Sequence, residues 1–204
     1  CKNLNILNTD TITLTYEESA RLDSIFNRLY SVNDTLENKK DDVIIDEISF
    51  LFMGDFMQHG PQISAAKNLM EEYDYNHYFD YTNELINGVD FAVANLEVTL
   101  AGPPYSGYPK FCAPDEYATA IQNAGFDILT TANNHSNDKK KAGLERTIDV
   151  LDSLNMLHLG TYKTQSKRDS LYPLFITKNN ITVALLNYTY GTNGLKTDLS
   201  ELQF

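Results

Sequence analysis

Three times between residues 43 and 136 a short run rich in β-branched and aromatic side chains ends in a polar turn, with helical spacing between one run and the next. The runs are Val43 to Met53, ending at Gly54-Asp55; Val89 to Ala94, delivering Asn95-Leu96-Glu97; and Phe126 to Thr131, leading into Asn133-Asn134-His135-Ser136. Pro61 opens a helix in the first interval, and residues 76–87 form another closed by Gly88. Pro114 and Asp115 start the helix of the second interval, with Tyr117, Ala120, Ile121 and Ala124 on one face and Gly125 at its end. A further crossover helix carries Leu144, Ile148, Leu151 and Leu154 as its stripe, Leu157 to Leu159 is a strand, and residues 172–177 and 181–187 pair as a hairpin through Lys178-Asn179-Asn180. Strands alternating with helices predict right-handed βαβ units, hence an α/β fold with a largely parallel sheet flanked by helices. Ligands bind beyond the carboxyl ends of such strands, so Asp55, Asn95, Glu97, Asn134 and His135 are expected to converge there. His59, four residues after Asp55, is a neighbour of this group and not a member.

Upstream of the sheet, Thr15-Tyr16-Glu17-Glu18 has the form of a capping box, and Leu22, Ile25, Phe26 and Leu29 predict an amphipathic helix over residues 16–30. The charge-dense, aperiodic stretch from Ser31 to Asp42 reads as a linker, which divides the chain into residues 1–42 and an α/β domain over 43–204. A chain that begins with Cys has the form of a processed bacterial lipoprotein, with Lys2 to Asp10 as a polar tether to an acyl group on Cys1 and so to the membrane of the cell envelope. Acidic residues number 28 against 16 basic, a net charge of −12. That field repels nucleic-acid phosphates, so nucleic acid is not an expected partner. The longest apolar runs fall far short of the roughly 20 residues that span a bilayer. Two cysteines, Cys1 and Cys112, make neither a disulfide framework nor a thiolate cluster.

An acid from one strand end, an acid and an amide from the next, and an amide and an imidazole from the third offer the O and N donors that suit Mn²⁺, Fe, Zn²⁺ or Mg²⁺. Two such ions about 4 Å apart clamp and activate water in phosphate-ester hydrolysis. Taken singly the residues have ordinary explanations: Asp55 and Asn134 as helix caps, Glu97 as a loop acid, His135 as a structural histidine. Two other chemistries fit the same residues. Asp55 and Glu97 form a carboxylate pair for metal-independent acid/base hydrolysis, and Cys112 with His135 forms a nucleophile pair.

Phe52 to Met57, Asn95-Leu96-Glu97, Tyr108 to Pro114, Gly125-Phe126-Asp127, Ala132 to His135 and Gly143 to Thr147, taken in order, strongly resemble the CapA family of bacterial capsule poly-γ-glutamate synthesis proteins. The resemblance covers residues 48–194 and implies the N-terminal part of a calcineurin-like metallophosphoesterase sandwich. In that pattern Asp55 matches the first metal-motif aspartate and Asn95 with Glu97 stands at the bridging acid. Asn134 is a further metal ligand, while His135, with Glu97, is catalytic and contacts the substrate phosphate. Here His59 lies four residues after Asp55, where the pattern has a histidine two residues on, and Glu replaces the bridging Asp. Tyr108, Lys110 and Asn133 are expected to contact an anionic polymer or a small phosphorylated substrate, and Lys139 to Lys141, at a helix start, to meet an anion if they have a purpose. Family members continue into a second half with further histidines, so the sequence reads as a first half. The implied role is in capsule or poly-γ-glutamate synthesis, attachment or export beside other envelope proteins, as a metal-dependent hydrolase or as a non-catalytic scaffold.

Overall fold

The parallel sheet is present in the computed structural model, which describes residues 45–195. The tether, the helix expected over 16–30 and the whole linker lie outside the described residues. Four strands, β1 (Phe50–Phe56), β2 (Phe91–Leu96), β3 (Ile128–Thr130) and β4 (Leu157–Leu159), lie in the order 1-2-3-4, every pair parallel. Between them run α1 (Gly60–Ala66), a 3-10 turn (Asn76–Phe79), α2 (Asn83–Asn87), α3 (Asp115–Ala124) and α4 (Lys140–Ser153). After β4 come α5 (Gln165–Leu171) and the antiparallel hairpin of β5 (Leu174–Lys178) and β6 (Ile181–Leu185).

Side-chain alternation sorts the two faces of the sheet. On β2, Ala92, Ala94 and Leu96 join Leu129 of β3 and the α3 residues Tyr117, Ala118, Ile121 and Ala124 in the larger core. Val93 faces the other way, with Ile128 and Leu159, onto Ile176, Leu174, Val183 and Leu185 of the hairpin. The molecule is therefore a layered α/β structure, helices on one face of the parallel sheet and a second, two-stranded sheet on the other. A lone hairpin is marginal in water, and each apolar side chain buried at this contact contributes about 1.5–3 kcal/mol. The hairpin turns through Asn179 and Asn180, both at positive φ, as its two-residue loop requires.

Three sequence expectations change. The first strand begins only at Phe50, residues 45–49 being outside any strand, and does not stop at Gly54; it continues to Phe56, and its register shifts between Met53 and Asp55. This bulge reverses the alternation, so Asp55 pairs with Asn95 and Phe56 with Leu96. Without the extra residue Asp55 would face the helices. The helix expected over 76–87 is broken into the 3-10 turn and α2; at the break the Thr82 hydroxyl (3.0 Å) and amide (2.9 Å) both bond the Phe79 carbonyl, which competes with helix propagation. Helix α5, capped where Thr164 accepts from the Lys167 amide (3.2 Å), was not expected.

One contact fixes the approach to the third polar turn. Asn187, just after β6, accepts from the Ala132 amide (2.7 Å) and donates to the Ala132 carbonyl (3.1 Å). Gly160, at φ +116°, leaves room for it: a Cβ there would lie 2.1 Å from Asn187 Oδ1 and 2.5 Å from Ala132 N. Gly160→Ala is expected to cost about 2–3 kcal/mol, combining backbone strain with overpacking, in urea denaturation. A loss below about 0.5 kcal/mol would show that the clamp carries no load.

Candidate functional site

Because of the bulge, Asp55, Asn95 and Thr130 stand in one row across three adjacent strands. Asn95 is the middle of that row. Its Nδ2 donates to Asp55 Oδ1 (2.8 Å) and to Glu97 Oε2 (3.0 Å), while its Oδ1 accepts from Asn133 Nδ2 (3.1 Å) and Thr130 Oγ1 (3.3 Å). Every hydrogen-bonding site of the amide is used. Asp55 is solvent-exposed, whereas Glu97 is 6% exposed. Burial first, then the hydrogen bond and charge of Asp55, push the Glu97 carboxyl up to about 7, against smaller opposing effects of His135 and Asn95. Near neutral pH Glu97 is therefore partly protonated.

The third turn supplies His135. Ser136 Oγ bonds Thr131 O (2.6 Å) and Asn133 O (2.7 Å) and receives the Asn133 amide (2.8 Å), which folds the turn tightly enough for His135 N to reach Asn133 Oδ1 (3.1 Å). The imidazole Nε2 lies 4.0 Å from Glu97 Oε1, and Nδ1 lies 2.7 Å from Asp138 Oδ2. Phe111 stacks edge-on against the ring at 4.6 Å between centroids and also meets the His59 ring, at 5.0 Å. His59 itself is at the start of α1, where its amide donates to Gln62 (2.8 Å).

Asp55, Asn95, Glu97, Asn133 and His135 are thus joined by direct contacts. Asn133, expected at the substrate, is instead buried, with its amide bonded to Asn95 and to the Leu96 carbonyl (2.9 Å). Asn134, expected as a metal ligand, turns its amide to Asn193 Oδ1 (3.3 Å), because Asn133 occupies the inward position of the turn. Beyond His135 opens a pocket of about 510 Å³ lined by Tyr108, Lys110, Asn134, His135, Asp138 and Asn193. Cys112 is fully buried, its Sγ 3.3 Å from the Gly102 carbonyl. Lys139 donates to Ser106 Oγ (2.9 Å), and Lys141 pairs with Glu145 at 3.9 Å. Two site residues escaped the sequence reading. Asp138 had a faint local signal, an acid three residues after a histidine in a turn; Asn193, 58 residues from His135, had none.

A divalent cation is implied by the resemblance, and the donor chemistry is the test. Burial first, and then the neighbouring Asp55, hold the Glu97 carboxyl above its ordinary value, and the two acids linked through Asn95 place oxygen donors of the kind a hard cation takes. Among the described residues no three His, Cys, Asp or Glu side chains converge to hold a metal. The oxygen donors of Asp55 and Glu97 suit a hard cation whose shell water or substrate would complete.

Comparison with known proteins gives two matches. A family model described as bacterial capsule synthesis protein PGA_cap matches residues 49–203. Capsule biosynthesis protein CapA of Bacillus anthracis is 23% identical over 150 residues, 71% of this chain and 35% of the relative, so the chain spans about a third of that protein's length.

The raised Glu97 carboxyl has a sign that can be checked. Between its ordinary value of 4.5 and about 7 the folded chain keeps a proton that the unfolded chain has released, so this contribution to stability is full at lower pH and is lost as pH rises through 7. In metal-free buffer, Glu97→Gln should be the more stable protein at pH 8 by about 1–3 kcal/mol and lose that advantage at pH 4, read from urea midpoints. Equal pH dependence in the two proteins would contradict the shift.

Proposed function

The chain belongs to the bacterial capsule synthesis protein family PGA_cap, and from that premise we propose that it acts in capsule synthesis as a metal-dependent hydrolase of an anionic polymer or small phosphorylated substrate. The observation that carries the reading is the Asp55–Glu97 carboxylate pair set against His135, beside a pocket that presents Lys110. Lys110 and the amides of Asn134 and Asn193 receive the anionic group. In a chain of net charge −12, such a group is retained only where a local cation and amide donors offset the general repulsion. Asp55 and Glu97 hold the cation, oriented by Asn95, and when bound the cation supplies Lewis acidity and an acidified water. His135 presents Nε2 to the reacting group as the proton-transfer partner, and Glu97 would be ionised while it holds the cation. Placement in the cell envelope, a lipid anchor on Cys1 and contact with other capsule-synthesis proteins belong to the same proposal. No helix among the described residues is long and apolar enough to cross a membrane.

A second reading, metal-independent acid/base hydrolysis by Asp55 and Glu97, is favoured by one observation, the carboxyl held near 7. Turnover of a synthetic aryl phosphodiester by the full chain separates the two. The proposal expects Mn²⁺-dependent turnover that EDTA removes, a drop of about 100-fold or more in Asp55→Asn and Glu97→Gln, and a KM effect alone in Lys110→Ala. Turnover indifferent to EDTA but lost in Glu97→Gln selects the second reading. No turnover under either condition points to a non-catalytic scaffold and overturns both.

A further inference from the structure

Asp138 lies at the centre of a contact that the proposed chemistry has not yet used. Its side chain is 1% exposed, and Oδ2 accepts at 2.7 Å from two directions, the His135 ring at Nδ1 and the Phe111 backbone amide. Its other oxygen, Oδ1, is buried with no hydrogen-bond partner among the described residues. Oδ2 already acts as an acceptor toward the Phe111 amide, and the imidazole meets that same oxygen. The short Nδ1 contact therefore places the imidazole proton on Nδ1 and leaves the Nε2 lone pair toward Glu97. The Phe111 amide belongs to the segment that carries Tyr108 and Lys110, both on the pocket wall, and the Phe111 ring packs edge-on against the same histidine.

We propose that Asp138 is a positioning residue that sets the His135 tautomer and, through the Phe111 amide, fixes the Tyr108–Lys110 segment against that ring. This rests on His135 being the reactive imidazole of the proposed site, but its two structural consequences hold with no substrate or cation bound. Replacing Asp138 by Asn keeps both, because one side-chain oxygen meets the Phe111 amide and Nδ1 and the Asn carbonyl can take that position. Replacing it by Ala removes both bonds.

The test is long-range ¹H–¹⁵N spectroscopy of the imidazoles in the full chain, above the pH at which the ring is neutral, together with amide hydrogen exchange at Phe111. The expected wild-type pattern is Nδ1 protonated and Nε2 unprotonated, kept in Asp138→Asn and shifted to Nε2 in Asp138→Ala. Phe111 exchange should stay slow in Asp138→Asn and quicken about tenfold in Asp138→Ala, the loss of one buried hydrogen bond. A wild-type ring protonated at Nε2, or a tautomer unmoved by Asp138→Ala, overturns the assignment of the proton. Phe111 exchange that is equally slow in Asp138→Ala overturns the coupling to the segment. Because neither readout involves turnover, failure of the hydrolase reading leaves the result interpretable. If Asp138→Ala does not fold, Asp138→Leu, which keeps the volume but offers no acceptor, takes its place, and the wild-type spectrum still decides the tautomer.

Discussion

The carboxamide of Asn95 is the interaction on which the site depends. Its two N–H groups are divided between Asp55 and Glu97, and its oxygen is held by Asn133 and Thr130, so strand β1, strand β2, strand β3 and the third turn meet at one group. With all four positions used, the amide cannot turn without breaking bonds at a half-buried place, where each loss costs about 1–3 kcal/mol. Two acids are thereby kept side by side although their charges repel. The strained member is Glu97, which is the buried one.

This arrangement depends in turn on the one-residue bulge of β1. Parallel pairing brings Asp55 level with Asn95 only because Gly54 is left without a partner, and the same shift returns Phe56 to the helical core beside Phe79 and Phe126. One irregularity therefore serves packing and chemistry together. On the far side of His135 the demands differ: Asp138, Phe111 and Asn193 enclose the ring, while Tyr108 and Lys110 stay exposed on the pocket wall. The buried half is built to hold charge in place and the open half to receive it.

The alternation of strands and helices, the helical faces of Tyr117-Ala120-Ile121-Ala124 and Leu144-Ile148-Leu151, and the Asn179-Asn180 hairpin were legible because each is a local pattern. So was the delivery of Asp55, Asn95 and Glu97 to one end of the sheet, which follows from strand ends on one side of a parallel sheet, although the contact of Asp55 with Asn95 needs the bulge. The Gly54 bulge was not legible, since register is a property of two strands and nothing near Gly54 marks it; a Cβ at that position would touch nothing within 4 Å. The break between Asn76–Phe79 and α2 depends on polar side chains of low helix propensity, a signal present in Asp74, Asn76, Asp80 and Thr82 but masked by the apolar spacing. Asn133 and Asn134 are identical in type, and only the folded turn separates the inward one, spent on Asn95, from the outward one that meets Asn193. Asn193 joins the site through chain separation that no spacing rule reaches.

If the Asp55–Glu97 pair is the centre of the molecule's chemistry, it should take a cation where Asn95 holds it. Anomalous diffraction from crystals of the full chain grown with Mn²⁺ tests this directly. The expected map shows one Mn²⁺ in contact with both carboxylates, with His135 still bonded to Asp138. A peak absent from that position, in crystals whose Asp55 and Glu97 side chains are well ordered, would contradict it.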